Sequence, residues 1–184
     1  MIEWLCGYWF KNSGWKMRGS FPYHIPKLVI AAGPHTSAWD FIIGLATKNI
    51  LHLKHGHFLG KKELFDGPFG WFFKKVGGIP VNRSSATGLV EQVANEFSLH
   101  QHFILAMSPE GTRQKVDTLK TGFYHIAKAA SVPILPIGFD FSTKEVIIGA
   151  LIYPTNETAD IKKIISFFAA CKGKYPEKGV AHLV

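Results

Sequence analysis

The sequence has 184 residues, the length of one ordinary domain, and its 47% hydrophobic and 18% charged residues exclude global disorder. A formal net charge of +8 favours an anionic partner, namely a phosphorylated small molecule, a nucleic acid or an anionic membrane surface. Two cysteines are too few for a disulfide framework, and no apolar stretch approaches the roughly 20 residues of a membrane span. The first residues also lack the basic region and cleavage site of a secretory signal, so we expect one soluble, cytoplasmic domain over residues 1–184.

Apolar strands alternate with amphipathic helices along the sequence. In chain order, we first predict a helix over 2–11 within an aromatic segment 1–14, strands over 15–19 and 28–32, a helix over 38–53 capped by Ser37, a strand over 57–60 and a helical stretch over 62–75 interrupted at 67–68. We then predict an extended segment over 77–81, a helix over 87–100, a strand over 103–107, a helix over 122–130, strands over 134–141 and 145–152, and a helix over 159–171. This alternation is typical of an α/β fold, so we expect a single-domain αβ sandwich with a mixed, largely buried sheet flanked by helices.

A histidine and an aspartate, His35 and Asp40, follow the buried strand over 28–32. On one continuous helix the two side chains would point about 140° apart and would not meet. They meet if His35 lies in the loop and Asp40 in the first helical turn beyond Ser37. The carboxylate then accepts the imidazole N–H and stabilises the imidazolium, which makes His35 a general base against a hydroxyl. The alternative is a loop histidine beside an aspartate that only marks the start of a helix.

A second candidate site follows the strand over 103–107 and reads Ser-Pro-Glu-Gly-Thr-Arg over 108–113. Gly111 lets the backbone approach a ligand, while Thr112 and Arg113 offer donors suited to phosphate oxygens. Ligand sites of α/β folds gather at the carboxyl ends of strands, where we expect both this segment and His35. The alternative is a tight turn with a surface arginine.

Further positive charge stands at three other places. Arg83 ends the extended segment that starts at the glycine pair 77–78, Lys61 precedes a short helical stretch, and Lys120 precedes a Thr-Gly pair. Each of these cations is also open to interpretation as a solvated surface residue.

Taken together and in this order, the segments resemble the motifs of the glycerolipid acyltransferase family, whose best-known members acylate lysophosphatidic acid. The family motif N-H-x-x-x-x-D is matched by His35 and Asp40, and F-P-E-G-T-R by residues 109–113. The other matches are a lysine before a short helix at 60–64, a glycine-to-arginine segment at 78–83, an F-K-x-G-like segment at 119–122 and a V-P-[IV]-x-P strand at 132–137. The resemblance covers roughly residues 15–150.

The resemblance implies an O-acyltransferase that moves a fatty acyl group from acyl carrier protein or coenzyme A to the hydroxyl of a lysophospholipid such as 1-acylglycerol-3-phosphate. His35 would be the general base and Asp40 its partner. The residues expected to bind the acceptor's phosphate or the carrier's phosphopantetheine, or to order the loop that does, are Lys61, Arg83, Glu110, Gly111, Thr112, Arg113 and Lys120. In this set Glu110 orders the loop and its arginines. No metal or bound cofactor is implied.

Three positions depart from the family motifs: Pro34 stands for the usual Asn, Asn82 for Asp, and Ser108 for Phe. The base, its carboxylate and the arginines are retained, so the departures bear on the acceptor and on fine geometry more than on the chemistry. The chain looks like a compact bacterial branch without a membrane span. We therefore expect an enzyme that binds peripherally to the inner face of the cell membrane.

Aromatic residues make up 14% of the chain and often stand beside lysines. The candidates for membrane contact are Trp4, Trp9, Phe10, Trp71, Phe72, Phe73, Lys74 and Lys75. The alternative is that these aromatic rings pack in the core. For the whole chain, the rival hypothesis is a non-catalytic lipid or anionic-membrane binding module. We expect no nucleic-acid partner, because no basic stripe with base-stacking aromatics is visible.

Overall fold

In the computed structural model, which describes residues 2–81 and 86–184, helices alternate with the strands of one sheet. The strands are β1 (Lys16–Arg18), β2 (Lys27–Gly33), β3 (Gly56–Lys61), β4 (Gly78–Val81), β5 (Phe103–Met107), β6 (Ile134–Asp140) and β7 (Glu145–Ile148). The helices are α1 (Ile2–Asn12), α2 (Trp39–Ile50), α3 (Lys62–Asp66), α4 (Gly70–Lys75), α5 (Ala86–Leu99), α6 (Gly122–Ala129) and α7 (Glu157–Ala169). Two short 3₁₀ helices that the sequence did not predict, Pro176–Lys178 and Ala181–Leu183, follow α7.

The sheet is mixed and has the strand order β1-β7-β6-β2-β5-β3-β4. Strands β6, β2, β5, β3 and β4 run parallel to one another, whereas β7 pairs antiparallel with β6 and β1 pairs parallel with β7. The carboxyl ends of the five parallel strands therefore meet at one edge of the sheet. Ligand sites of α/β folds form at this edge.

Both faces of the sheet are covered, which explains why the central strands are apolar without interruption. Along β2, Leu28 and Ile30 pack on the side of α1 and α2, and Val29 and Ala31 on the side of α5, α6 and α7. Successive residues of a strand point to opposite faces, so a strand buried on both sides needs apolar residues at every position. The predicted αβ sandwich with a mixed, largely buried sheet is confirmed.

Two element boundaries differ from the sequence prediction by more than two residues. Helix α2 ends at Ile50, and the last strand ends at Ile148, where the sequence predicted an extension to residue 152. The pairing Ile134↔Ile152 is one residue out of register with Ile137↔Ile148. One extra residue thus stands between these two pairs on the second strand, and such a bulge interrupts a strand without ending its pairing.

The aromatic side chains divide between the core and the surface. Phe10 is buried, so its predicted membrane contact is wrong, and Trp9 stacks on Trp39 with 5.8 Å between ring centroids. Phe73 is half-buried and contacts Phe41 and Phe65. Through these ring contacts, α1 packs on α2, and α4 packs on α2 and α3. The side chain of Trp4 lies outside the described residues.

The exposed aromatic side chains among the predicted membrane contacts lie on the segment that contains α3 and α4. Phe69 and Trp71 are about two-thirds exposed, and Lys74 and Lys75 beside them are exposed as well. Phe72 is half-buried and contacts Trp71 edge to face. The part of the predicted contact that remains available to a partner is therefore this segment.

Candidate active site

Two loops meet at the carboxyl edge of the sheet. One follows β2 and carries His35; it begins with a cis peptide bond between Gly33 and Pro34. The other follows β5 and carries residues 108–113. Because Ala31 of β2 is paired with Met107 of β5, the two loops leave the sheet side by side. The sequence expectation that both segments share one edge is confirmed.

Asp40 binds the His35 ring and the backbone of the same loop. Its Oδ2 lies 3.2 Å from His35 Nδ1 and accepts the backbone N–H groups of Thr36 at 2.7 Å and Ser37 at 2.8 Å. Asp40 is buried, while the side chain of His35 is about a quarter exposed. The prediction that these two residues meet through a loop and a first helical turn is confirmed. The carboxylate favours a proton on Nδ1, which leaves Nε2 as the basic nitrogen.

Ser37 contributes to the same turn in a different way from the one predicted. Its Oγ accepts the N–H of Trp39 at 2.9 Å, but the residue that precedes α2 is Ala38. The Asp40 carboxylate reaches back from the first helical turn and accepts the N–H groups of Thr36 and Ser37, in the loop before the helix. The aspartate that faces the histidine is therefore also the residue that holds the entry to α2.

Glu110 holds the backbone of the histidine. It is buried, and its Oε2 accepts the backbone N–H of His35. Burial raises the pKa of Glu110 to about 7, although the hydrogen bond and the positive charge of His35 act in the opposite direction. The sequence predicted that Glu110 orders its own loop and arginines. The structure instead places it on His35, 75 residues earlier in the chain.

The remaining predicted residues of this loop differ in position. Gly111 has a positive φ of 65°, and a Cβ there would lie 3.0 Å from Cδ of Lys120, so the lysine packs on the glycine. The Lys120 N–H donates to the carbonyl of Pro109 at 2.7 Å. Thr112 and Arg113 are exposed, and Thr112 Oγ1 accepts the N–H of Gln114. The structure thus brings Gly111 and Lys120 to the site and leaves Thr112 and Arg113 on its outer rim.

Two predicted cations cannot be placed as side chains. Lys61 ends β3 at the same edge of the sheet, but its side chain lies outside the described residues. Arg83, with Asn82, belongs to the segment 82–85, which also lies outside them.

A cavity of about 520 Å³ opens beside the pair and runs beneath α2. The helix contributes Asp40, Gly44, Thr47 and Lys48, whose spacing places them along one face over about 12 Å. The sheet contributes mainly apolar side chains, among them Ile30, Ile104, Ala106, Ile137 and Phe139. A Cβ on Gly44 would meet only Phe139, at 4.0 Å, so the cavity reaches the backbone of the helix there. The sequence analysis missed this cavity, although the apolar spacing of α2 and its single central glycine were visible.

The inner end of the cavity is less apolar. Lys48 Nζ donates to the carbonyl of Val76 at 2.7 Å, and His57 lines the wall nearby. Burial and the charge of Lys48 lower the pKa of His57, which favours the neutral imidazole. His57 also stacks on Phe103 at 4.8 Å. Within residues 2–81 and 86–184, no group of three or more His, Cys, Asp or Glu side chains is arranged to hold a metal ion.

Several buried polar atoms at the site have no hydrogen-bond partner among the described residues. They are Asp40 Oδ1, Ser108 Oγ and Glu110 Oε1 near His35, together with Thr47 Oγ1 along the cavity. Neither Ser108 nor Thr47 was selected as a site residue from the sequence. For Ser108, the available signal was its departure from the phenylalanine that the resembled family carries at this position.

A segment that follows α7 packs against the histidine loop. The N–H of Tyr175 donates to Thr36 Oγ1 at 3.3 Å, across 139 residues of sequence. A Cβ on Gly173 would lie 2.7 Å from the Thr36 side chain, and Lys174 Nζ lies 4.8 Å from the ring centroid of Trp39. This segment therefore forms one wall of the loop that carries His35.

The fold and the site define an α/β protein with a histidine–carboxylate pair at the mouth of an apolar cavity. The family model described as Acyltransferase matches residues 21–140, which include every element of this site up to β6. The chain belongs to the acyltransferase family.

Similar proteins carry a more specific name. The 1-acyl-sn-glycerol-3-phosphate acyltransferase of Escherichia coli (strain K12) is 38% identical over 86 residues, which are 43% of this chain and 35% of that protein. The protein of the same name from Salmonella typhimurium is 37% identical over the same shares. The chain thus matches about a third of the length of these curated relatives. The crystal structure of the 1-acyl-sn-glycerophosphate (LPA) acyltransferase PlsC from Thermotoga maritima has the same fold, with a TM-score of 0.61 at 19% identity over 92% of this chain and 76% of that one.

Among the helices that the structure describes, none combines the length and the apolar character needed to cross a bilayer.

The raised pKa of Glu110 leads to a prediction about how the free energy of unfolding depends on pH. A carboxyl whose pKa is higher in the folded than in the unfolded state stabilises the fold while it is protonated, and loses that contribution as the pH rises through its folded value. Between about pH 4.5 and pH 7, the free energy of unfolding of the wild type should therefore fall relative to Glu110→Gln, by up to about 3 kcal/mol. Urea denaturation of both proteins across this range measures the difference.

The control is Glu91→Gln, which changes an exposed glutamate of α5. Its difference from the wild type should stay constant over the same range. A constant difference for Glu110→Gln as well would contradict the assignment of a raised pKa.

Proposed function

We propose that the protein is an O-acyltransferase that moves a fatty acyl group from an acyl thioester, on acyl carrier protein or coenzyme A, to the hydroxyl of a lysophospholipid such as 1-acylglycerol-3-phosphate. The observation that carries the proposal is the His35–Asp40 pair at the mouth of an apolar cavity. Family membership supports the reaction class, and the printed names of the similar proteins support the acceptor.

In the proposed mechanism, His35 Nε2 takes the proton of the acceptor hydroxyl. The oxygen forms a bond to the thioester carbonyl carbon, and the carbonyl electron pair moves onto its oxygen. When the carbonyl reforms, the carbon–sulfur bond breaks and the departing thiolate receives the proton from the imidazolium. Asp40 stabilises the imidazolium between the two transfers and keeps Nε2 directed away from itself. Glu110 holds the backbone that carries the ring.

The cavity beneath α2 would hold the acyl chain. Its sheet wall is apolar, and each buried methylene contributes about 0.8 kcal/mol of binding. With the chain in the cavity and the acceptor hydroxyl at His35, the thioester carbonyl comes to rest between them. The cavity therefore supports a long-chain acyl donor.

The phosphate groups of acceptor or donor would meet the positive charge on the other side of the site. Lys120 packs on Gly111 at the cavity, and Thr112 and Arg113 offer donors on the rim of the same loop. Lys61 and Arg83 belong to this proposal on the strength of their sequence motifs. We also propose that the protein works peripherally at the inner face of the cell membrane, where a lysophospholipid resides.

The decisive test incubates the purified protein with a panel of lysophospholipids and with labelled acyl carrier protein or acyl-coenzyme A, and identifies the product by mass. His35→Ala should lower kcat by about 10²–10⁴-fold, and Asp40→Asn by a comparable factor, because the base or its partner is lost. Matched controls are His24→Ala and Asp117→Asn, which change exposed residues elsewhere. A folded His35→Ala protein with normal turnover would exclude the mechanism. Lipid binding without transfer would instead support the binding-module alternative.

The acyl cavity makes a separate prediction at Gly44. Gly44→Ala adds a Cβ that fits 4.0 Å from Phe139 and removes a helix glycine, so the variant should be active and slightly more stable. Gly44→Leu should fill the cavity and displace two or three methylenes of a long chain. Its kcat/KM should fall by about 10–100-fold with long donors and much less with short ones. Equal losses for long and short donors would contradict an acyl chain at this position.

Membrane contact is tested on the α3–α4 segment. Trp71→Ala with Lys74→Ala should weaken co-sedimentation with vesicles of anionic lipid, because a ring leaves the interface and each lysine near the surface contributes about 1 kcal/mol. Binding of the wild type should weaken as salt rises. The control is Tyr153→Ala with Lys128→Ala, an exposed pair on other elements. If wild type and variant bind alike at every salt concentration, these residues are not the contact.

A further inference from the structure

Ser108 is the first residue beyond β5, and its hydroxyl has an unusual environment. The oxygen is buried, lies in the wall of the cavity that His35 and Asp40 also line, and has no hydrogen-bond partner among the described residues. The backbone around it is held in place, because its carbonyl accepts the N–H of Gly111 at 3.1 Å. A fixed hydroxyl is thus left without a partner at the entrance of the cavity.

The position of Ser108 relative to the base follows from the sheet. Ala31 of β2 is the register partner of Met107, so Ser108 lies one step beyond the paired residues, next to the segment that leads to His35. The neighbouring buried atoms without partners are Asp40 Oδ1 and Glu110 Oε1. An ionised carboxylate only accepts hydrogen bonds, whereas a hydroxyl also donates. Ser108 therefore supplies a hydrogen-bond donor to a bound molecule, in addition to the unpaired carboxyl oxygens of Asp40 and Glu110.

An unpaired buried hydroxyl destabilises the folded protein, and the cost is removed when a ligand supplies an acceptor. The acyl chain in the cavity and the acceptor hydroxyl at His35 place the thioester carbonyl at the boundary between them. Ser108 lines the cavity at the same edge of the sheet as the loop that carries His35.

We propose that the Ser108 hydroxyl donates a hydrogen bond to the thioester carbonyl oxygen as that oxygen becomes the oxyanion of the tetrahedral intermediate. This inference rests on the proposed acyl transfer. The serine keeps its proton throughout: the oxygen gains the carbonyl electron pair when the acceptor attacks, and returns it when the carbon–sulfur bond breaks. A donor directed at the developing charge stabilises the transition state more than the bound substrate.

The kinetic test compares Ser108→Ala and Ser108→Thr with the wild type in the acyl transfer assay. Ser108→Ala should lower kcat by about 10–100-fold with KM changed less than about twofold, and Ser108→Thr should recover most of the activity because it keeps a hydroxyl. The melting temperature of Ser108→Ala should equal or exceed that of the wild type, since an unpaired buried hydroxyl is removed. Ser98→Ala, which changes an exposed hydroxyl of α5, is the control.

A second readout does not need turnover. In the His35→Ala background, the infrared carbonyl band of a bound acyl thioester should lie at lower frequency than in solution, and adding Ser108→Ala should remove that shift. An unshifted band, a normal kcat in Ser108→Ala, or a rise in KM alone would overturn the assignment. Failure of the wild type to bind or transfer the acyl group would instead contradict the proposed function itself.

Discussion

The buried carboxylate of Asp40 is the interaction on which the rest of the site depends. A single oxygen accepts two backbone N–H groups and faces Nδ1 of His35. The same contact therefore turns the loop, starts α2 and selects the imidazole tautomer. A buried carboxylate is tolerated only when it is paired and hydrogen-bonded. The partners of Asp40 are the His35 ring and the two backbone N–H groups of the loop. Helix α2, which forms one wall of the cavity, is positioned by the same residue.

The topology of the sheet explains how distant segments complete this arrangement. Strands β2 and β5 are neighbours in space, although their paired residues Ala31 and Met107 are 76 positions apart in the sequence. Glu110, beyond β5, can thus reach the His35 backbone, and Ser108 reaches the cavity entrance. Two carboxylates then hold one histidine, one by its ring and one by its backbone. Burial raises the pKa of Glu110, whose one described backbone donor does not offset the loss of solvent.

Much of the fold was predictable because its signals are local. Strands buried on both faces are uninterrupted apolar runs. The spacing of His35 and Asp40 lets the two side chains meet only if a turn separates them. The contact of Glu110 with His35 was not predictable, because it depends on which strands are neighbours. The burial of Phe10 was missed for a related reason: an aromatic residue beside lysines has the same sequence pattern on a surface as on the inner face of a helix. The cavity was also missed, because at Gly44 it depends on the absence of a side chain, which a pattern of apolar residues does not reveal.

The contact between Tyr175 and Thr36 has a consequence for biosynthesis. A chain emerging from the ribosome presents residue 36 long before residue 175, because 139 residues separate them. The five parallel strands are all complete by Asp140, so a nascent chain can pair its central sheet while the histidine loop still lacks the wall that Gly173 and Tyr175 provide. Contacts of such large sequence separation form late. The histidine loop thus acquires its final shape only after the sheet beneath it has been synthesised, and a ribosome-bound intermediate would hold a formed scaffold with an unfinished site.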